Sequence, residues 1–272
     1  MTAADNQPDW DTIAEKFDLW LPAIAPVGEK LLEVLDVQSG MQILDVASGT
    51  GEPALTLARR FSGEQVNIRG IDSAEGMIKV GQKKVLAESL KNISFQTMPS
   101  EKMSFADNSF DRILCRFGVM LFEDPQQGLK EMCRVLKPGG KAAMAVWSTP
   151  QTMPTMYWAY EAFKSLVPED AYPPLMKATS LGAVGVLDGM LTLAGFAQYD
   201  IESHTFHYQF DSFEQYWDLV EASDILKMQY DLLSPEQRNL VRDEVGRFAK
   251  DFVTEQGLVI PHDYLLATAV KG

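Results

Sequence analysis

The sequence is organised around a stretch that begins as a strand and ends as a glycine loop. Residues 41–46 form an apolar run with a single charge, which is typical of a strand buried on both faces. Gly49 and Gly51 follow one residue apart and allow a tight turn and a close approach of the backbone to a ligand. Pro53 then fits the first turn of a helix. This order of strand, glycine loop and helix N-terminus predicts a nucleotide-binding site.

The glycine loop by itself suits two classes of ligand. The pattern G-x-G-x-x-G/A of dinucleotide sites is present at Gly49, Gly51 and Ala54. Asp72 lies near the spacing expected for an acid that binds the ribose. Asp45, however, lies inside the end of the strand, four residues before the first glycine, where a carboxylate is expected to face the positive end of a ligand rather than a pyrophosphate. An NAD-type oxidoreductase stays open as an alternative, and Asp45 weighs against it.

Four stretches carry a resemblance to a known family. They are DVASGTG at residues 45–51, GIDS at 70–73, NSFD at 108–111 and RVLKPGG at 134–140. Together they resemble class I S-adenosylmethionine-dependent methyltransferases, in particular the ubiquinone/menaquinone-biosynthesis branch, over roughly residues 41–147. The resemblance implies S-adenosyl-L-methionine as cofactor, S-adenosyl-L-homocysteine as product, and a small-molecule acceptor of quinone-like or natural-product type. A non-catalytic protein that binds the cofactor on this fold stays open as an alternative.

The order of apolar segments predicts an α/β fold. Five successive strand–helix units indicate a doubly wound, mostly parallel sheet. The resemblance implies a Rossmann-like sheet of seven strands whose last strand is antiparallel. The predicted strands are residues 41–46, 65–71, 92–96, 111–115, 141–147, 199–210 and 264–270.

Helical segments flank this predicted domain of residues 41–272. Residues 1–40 are predicted to form an N-terminal helical lid, with a helix over 10–35 that is broken near Pro22 and Pro26. Capping-box patterns begin at Ser212 and Ser234 and predict a helical cap at about 211–256. An antiparallel last strand begins at the carboxyl edge of the sheet, so this cap is expected to roof a substrate pocket.

The resemblance implies a set of cofactor residues along the carboxyl edge of the sheet. Asp72 is expected to accept both ribose hydroxyls, Ser73 to cap the next helix, and Met77 to pack on the adenine. The family often has an acid for the adenine amino group where this chain has Pro99, which leaves that contact open. The full set is Asp45, Ala47, Gly49, Thr50, Gly51, Asp72, Ser73, Met77, Ser100 and Arg116.

Acceptor residues are expected on the lid and after the fifth strand, with core packing as the alternative. Arg116 either lines the pocket, where it can pair with an acidic acceptor, or forms a structural ion pair. His262 is predicted to precede the last strand, where it serves as a general base or is a surface turn residue. The expected acceptor-binding residues are Trp10, Phe17, Trp20, Trp147 and Tyr157.

Charge and composition exclude other classes of function. The net charge of −14 disfavours nucleic acid and anionic membrane surfaces as partners. No apolar run approaches the length of a membrane span, so integral membrane association is not expected. The two cysteines read as core thiols of a cytoplasmic protein. His204 and His207 fall on opposite faces of one strand, so no metal site is predicted. The oligomeric state is not indicated.

Overall fold

A computed structural model describes residues 8–63, 65–166, 177–223 and 233–272. Its centre is one eight-stranded sheet in the order β3-β2-β1-β4-β5-β8-β6, with β7 paired to β8. The strands are β1 (Gln42–Val46), β2 (Asn67–Asp72), β3 (Ile93–Thr97), β4 (Phe110–Arg116), β5 (Leu136–Trp147), β6 (Phe196–Phe210), β7 (Val253–Thr254) and β8 (Gly257–Lys271).

The directions of the strands follow the expected pattern. β1 to β5 pair in parallel, and β8 runs antiparallel to both β5 and β6. The prediction of a mostly parallel, doubly wound sheet with an antiparallel last strand is therefore confirmed. The two-residue strand β7 is an addition that the sequence pattern did not reveal, since it is too short to show periodicity.

Helices connect and flank the strands. They are α1 (Trp10–Phe17), α2 (Leu21–Leu35), α3 (Ala54–Arg60), α4 (Glu75–Ala87), α5 (Pro125–Val135), α6 (Pro154–Lys164), α7 (Val186–Ala194), α8 (Phe213–Ala222) and α9 (Pro235–Ala249). The helix starts predicted from side-chain caps are present, because Ser212 accepts from the Gln215 N–H and Ser234 forms a complete capping box. Part of the predicted cap, residues 224–232, lies outside the described residues.

The cap predicted at Ser73 is wrong. Ser73 is exposed, and α4 starts two residues later. Ala74 occupies the N-cap position without a side-chain cap, and its own N–H donates to Asp72 Oδ1 at 2.9 Å.

The lid is smaller than the predicted 1–40 segment. The inner face of α2 is part of the main core, with Val27, Leu31 and Leu35 completely buried. Only α1 packs separately, where Ile13 and Ala14 form a small apolar cluster with α4. We therefore restrict the lid to α1. The predicted break near Pro22 is present, whereas Pro26 lies inside α2.

Two strands continue beyond the carboxyl edge of the parallel sheet. β5 ends at Trp147, which is paired with Tyr264 of β8. Residues 257–263 of β8 lie beyond that point and pair only with residues 205–210 of β6, apart from the short contact with β7. We call these two segments, 205–210 and 257–263, the arm. The last strand was predicted to start at residue 264, so its true start at Gly257 is a correction.

In the described part of the chain, no helix is both long and apolar enough to cross a membrane.

Candidate functional site

The glycine loop after β1 is built from left-handed backbone conformations. Ala47 has φ of 55°, Gly49 of 53° and Gly51 of 112°. A side chain on Gly51 would also place its Cβ 2.7 Å from the Leu55 side chain, so the residue has to be glycine. The strained loop turns the chain sharply into α3 and exposes its backbone to the carboxyl edge of the sheet.

Asp45 is the most unusual charged group of this edge. Its side chain is 1% exposed, and neither carboxylate oxygen has a hydrogen bond of good geometry among the described residues, since the Ala54 N–H interacts with the carboxylate only weakly. Burial raises the pKa of this carboxyl well above its ordinary value, and the Arg116 charge opposes that shift only in part. The buried Ser48 hydroxyl beside it is also unpartnered. Buried polar atoms in proteins are normally paired, so these groups indicate a ligand site.

Replacement of Asp45 by asparagine is expected to stabilise the ligand-free protein. Its pKa is higher in the folded than in the unfolded chain, so stability falls as pH rises from about 4 through that raised pKa. Removing the unpaired charge should raise the melting temperature by about 2–6 °C at pH 7.5 and hardly at all near pH 4. Differential scanning fluorimetry at both pH values measures this.

The matched control is Asp111→Asn. Asp111 bonds Lys137 and the Gln42 N–H, each at 2.8 Å, and its pKa is lowered through these contacts. This control should melt earlier than the parent protein at pH 7.5. A lower melting temperature for Asp45→Asn at that pH would contradict the assignment of an unpaired charge.

Asp72 ends β2 opposite the glycine loop. Its Oδ2 accepts from the Gly49 N–H at 2.9 Å, and its Oδ1 accepts from the Ala74 N–H at 2.9 Å. Each oxygen keeps a second lone pair, which leaves two acceptors suited to a vicinal diol. Burial raises the pKa of this carboxyl as well. Asp72 therefore combines the predicted ligand geometry with a structural role in holding the loop.

Helix α1 and the residue that follows it pack directly on the glycine loop. The Thr50 hydroxyl donates to Asp18 Oδ1 at 2.5 Å, and Lys84 of α4 forms an ion pair with the same carboxylate at 2.7 Å. The Phe17 ring lies 3.7 Å from the position that a Cβ on Gly49 would take. Trp10 packs edge-on against Phe17 at 6.0 Å. These two aromatic residues therefore lie on the loop side, together with Met77 of the small cluster.

Aromatic rings fill the space on the other side of the loop. The Phe117 and Trp147 rings stack at 3.6 Å, and Phe206 of the arm packs against Trp147 at 5.7 Å. Tyr208 of the arm contacts Trp20 at 5.8 Å. Trp147 and Trp20 were predicted as acceptor residues, and the structure brings both to this cluster. We call the set the aromatic cluster: Trp20, Phe117, Trp147, Phe206, Tyr208, His262 and Tyr264.

Sequence reasoning missed Phe117, Phe206 and Tyr208 as site residues. The alternating pattern of β6 put Phe206 and Tyr208 on one face, but only the length of the arm places that face beside Trp147. Phe117 has φ of 57°, a left-handed conformation that turns its ring back over the end of β5. No sequence pattern signals such a conformation in a phenylalanine.

His262 does not precede the last strand, as the sequence predicted, and it is not the surface turn residue of the alternative. It lies inside β8, paired with Phe206, and is completely buried. Its Nε2 is 2.7 Å from the Thr155 hydroxyl of α6. Burial lowers the pKa of the imidazole to about 3, so the ring is neutral at physiological pH. The predicted position before the last strand is wrong, and a catalytic role stays a prediction.

Thr155→Val is expected to destabilise the protein by about 1–3 kcal/mol, because it leaves a ring nitrogen of His262 buried without a partner. Urea unfolding followed by tryptophan fluorescence measures the change. Thr152→Val, in the preceding turn, is the control, because its hydroxyl bonds only the nearby Thr149 carbonyl. Equal stability of the two variants would show that the Thr155–His262 bond contributes nothing.

The other predicted site residues lie at different places along the carboxyl edge of the sheet. The buried Ser100 hydroxyl donates to Glu101 at 3.0 Å. Tyr157 interacts with Glu161 on its own helix, and within the described residues its ring contacts no member of the aromatic cluster. Arg116 follows Cys115 at the end of β4 and donates from Nη2 to the Glu52 carbonyl at 2.9 Å.

Comparison with known proteins shows which family this chain belongs to. A family model described as the ubiE/COQ5 methyltransferase family matches residues 26–208. A ubiquinone/menaquinone biosynthesis C-methyltransferase of Geotalea daltonii is 40% identical over 152 residues, which are 53% of this chain and 64% of that protein. A demethylmenaquinone methyltransferase of Bacteroides fragilis is 37% identical over 180 residues, 61% of this chain and 71% of that protein.

A solved structure matches the fold over more of the chain than the family model does. The YcgJ protein of Bacillus subtilis superposes with a TM-score of 0.64 at 17% identity, and the match covers 91% of this chain and 98% of that one. The family match ends at residue 208, inside the arm. The end of the arm and helices α8 and α9 therefore lie outside it.

Proposed function

The chain belongs to the ubiE/COQ5 methyltransferase family, and we propose that it transfers a methyl group from S-adenosylmethionine to a quinone-type small molecule. The observation that carries the proposal is Asp45, a buried carboxylate without a partner directly below a glycine loop. Such a group suits a ligand that brings positive charge and hydrogen-bond donors.

The charges of the loop favour this cofactor over a dinucleotide. Asp45 and Asp72 interact electrostatically with each other, and both carboxyls face the space at the glycine loop. A pyrophosphate would be repelled by these carboxylates, whereas a sulfonium and an ammonium group would be attracted. An NAD-type oxidoreductase is therefore not favoured.

Most of the residues named above bind the cofactor, and helix α1 shields the reactants from water. S-adenosylmethionine, when bound, supplies an electrophilic methyl group on a positively charged sulfur. Asp45 compensates the positive charge, Asp72 binds the ribose diol, and Met77 packs against the base. α1 covers the loop through its Asp18 contacts and excludes water. Methyl transfer of this kind depends mainly on holding the reactants in line, which needs no metal and no covalent protein intermediate.

The acceptor is proposed from two lines of support. The relatives carry the names of quinone-biosynthesis methyltransferases. The aromatic cluster is a set of mostly buried, stacked rings beside the glycine loop, and rings of this kind stack well with a flat ring system. Of the two helices predicted as a roof, α8 packs through Tyr216 against Phe210 of the arm and Trp158 of α6.

Calorimetry and a transfer assay test this function. S-adenosylhomocysteine should bind with a stoichiometry of one, while NADH should not bind. Labelled methyl groups from S-adenosylmethionine should then appear in reduced 1,4-naphthoquinone. Tight binding of NADH without binding of S-adenosylhomocysteine would overturn the proposal. Binding of S-adenosylhomocysteine without transfer to any quinol would favour the non-catalytic alternative.

A further inference from the structure

Arg116 carries a charge that no carboxylate neutralises directly. Its Nη2 donates to the Glu52 carbonyl, and its Nη1 lies 3.2 Å from the position that a Cβ on Gly28 would take. Throughout the described ranges, no ion pair within 4.0 Å includes this guanidinium, although Asp45 and Glu52 act on it at longer range. The alternative of a structural ion pair is therefore not realised in this structure.

The guanidinium of Arg116 stays charged although it is buried. Burial lowers the pKa of Arg116 to about 10, which still leaves the group protonated at neutral pH. A desolvated cation is costly unless an anion or several acceptors compensate it. One backbone carbonyl is a weak compensation, so the side chain is suited to an anionic ligand.

Two further donors without acceptors belong to the same region. The Trp20 Nε1 is buried and has no partner among the described residues. Tyr208 is 4% exposed, packs against Trp20, and interacts electrostatically with Arg116. Burial raises the pKa of Tyr208, and the Arg116 charge opposes this shift only in part, so Tyr208 remains a protonated donor.

The position of Arg116 separates two kinds of ligand. Arg116 interacts electrostatically with Asp45, at the glycine loop, where Asp72 adds further negative charge. It also interacts with Tyr208, which packs with the rings of the aromatic cluster. An anion is repelled by Asp45 and is therefore expected near Tyr208, whose neighbouring rings can stack with a flat ring system.

We propose that Arg116, Tyr208 and Trp20 bind an ionised oxygen of the acceptor, so that this protein selects a ring compound carrying an acidic hydroxyl in its anionic form. The inference rests on the proposed function, because it assigns these residues to the acceptor side of that site. It moves Arg116 from the cofactor residues predicted at first to acceptor recognition.

Two probes of nearly equal shape test this selection. The compound 2-hydroxy-1,4-naphthoquinone is an anion at neutral pH, because its hydroxyl is conjugated to a carbonyl, and 1,4-naphthoquinone is neutral. Binding of each is followed by calorimetry with and without saturating S-adenosylhomocysteine. The anion is expected to bind about tenfold more tightly or better, as charge-assisted hydrogen bonds contribute more than neutral ones.

The variants assign the preference to individual groups. Arg116→Gln should abolish the preference, whereas Arg116→Lys should keep part of it. Tyr208→Phe should reduce the preference by about tenfold at most. Arg112→Gln is the matched control, because this arginine lies on the same strand but donates to the Leu35 carbonyl. It should retain the full preference.

The outcomes separate this inference from the proposed function. Equal affinity of the parent protein for both quinones would overturn the inference, and so would a preference that survives in a folded Arg116→Gln variant. Circular dichroism and the melting temperature establish folding of each variant, and Arg116→Lys provides the answer if the glutamine variant does not fold. Failure of S-adenosylhomocysteine to bind the parent protein would overturn the proposed function instead.

Discussion

Replacing Asp72 by alanine is expected to weaken binding of S-adenosylhomocysteine by about 100-fold or more. Under the proposed function the variant loses two charge-assisted hydrogen bonds to the ribose, each contributing about 1.5–3 kcal/mol. It also releases the Gly49 and Ala74 N–H groups, which the Asp72 carboxylate holds at 2.9 Å. Loss of ligand contacts and loss of loop geometry act in the same direction. Isothermal titration calorimetry measures the affinity.

Two further variants test whether the loss of affinity in Asp72→Ala comes from the lost carboxylate at this position. Asp72→Asn keeps one acceptor oxygen and should bind with intermediate affinity. Asp107→Ala removes an acid that pairs with Arg134 in the loop before β4, at the opposite edge of the sheet, and should bind like the parent protein. An affinity of Asp72→Ala within about threefold of the parent value would refute the assignment of Asp72 to the ribose.

Gly118→Ala is expected to destabilise the protein by about 3 kcal/mol or more and to weaken cofactor binding. Gly118 has an ordinary φ of −98°, so backbone strain is not the reason. A Cβ at this position would lie 2.5 Å from the Ala47 Cβ and 2.7 Å from the Cys115 Sγ. Overpacking of this kind forces backbone movement. Because Ala47 belongs to the glycine loop, the movement displaces the cofactor site.

A second substitution, on the glycine loop, tests whether the contact with Ala47 causes the loss of stability. Ala47→Gly removes one of the two atoms that a new methyl group at residue 118 would meet, and it also relieves the left-handed φ of 55° at Ala47. Ala47→Gly with Gly118→Ala should therefore recover part of the stability, measured by urea unfolding in a double-mutant cycle. Simple additivity of the two changes would show that the residues do not meet.

The sequence predicted those features that local chemistry controls. The strand, glycine loop and helix at residues 41–60 were read from consecutive residues, and the capped starts of α5, α8 and α9 follow from side chains within one turn. The parallel sheet followed from the alternation of strands and helices. The four family stretches lie on the same segments, and for that reason the family could be recognised before the structure.

The lid shows where local periodicity reaches its limit. Trp10, Phe17 and Trp20 share one face of the predicted helix, but the chain turns between α1 and α2 and separates them. Phe17 then lies over Gly49, whereas Trp20 contacts Tyr208. Residues on one helical face can thus serve different parts of a site when a break intervenes.

The acceptor side was decided by tertiary structure. His262 lies in the arm because residues 257–263 pair with 205–210, a contact between segments more than 45 residues apart whose register no local pattern specifies. The same register brings Tyr208 towards Arg116, and the left-handed conformation of Phe117 turns its ring onto Trp147. A sequence pattern reports which face of an element is apolar, but not what the neighbouring elements present to it. The proposed cofactor side of this protein is encoded within short segments, whereas the proposed acceptor side forms only once distant strands have paired.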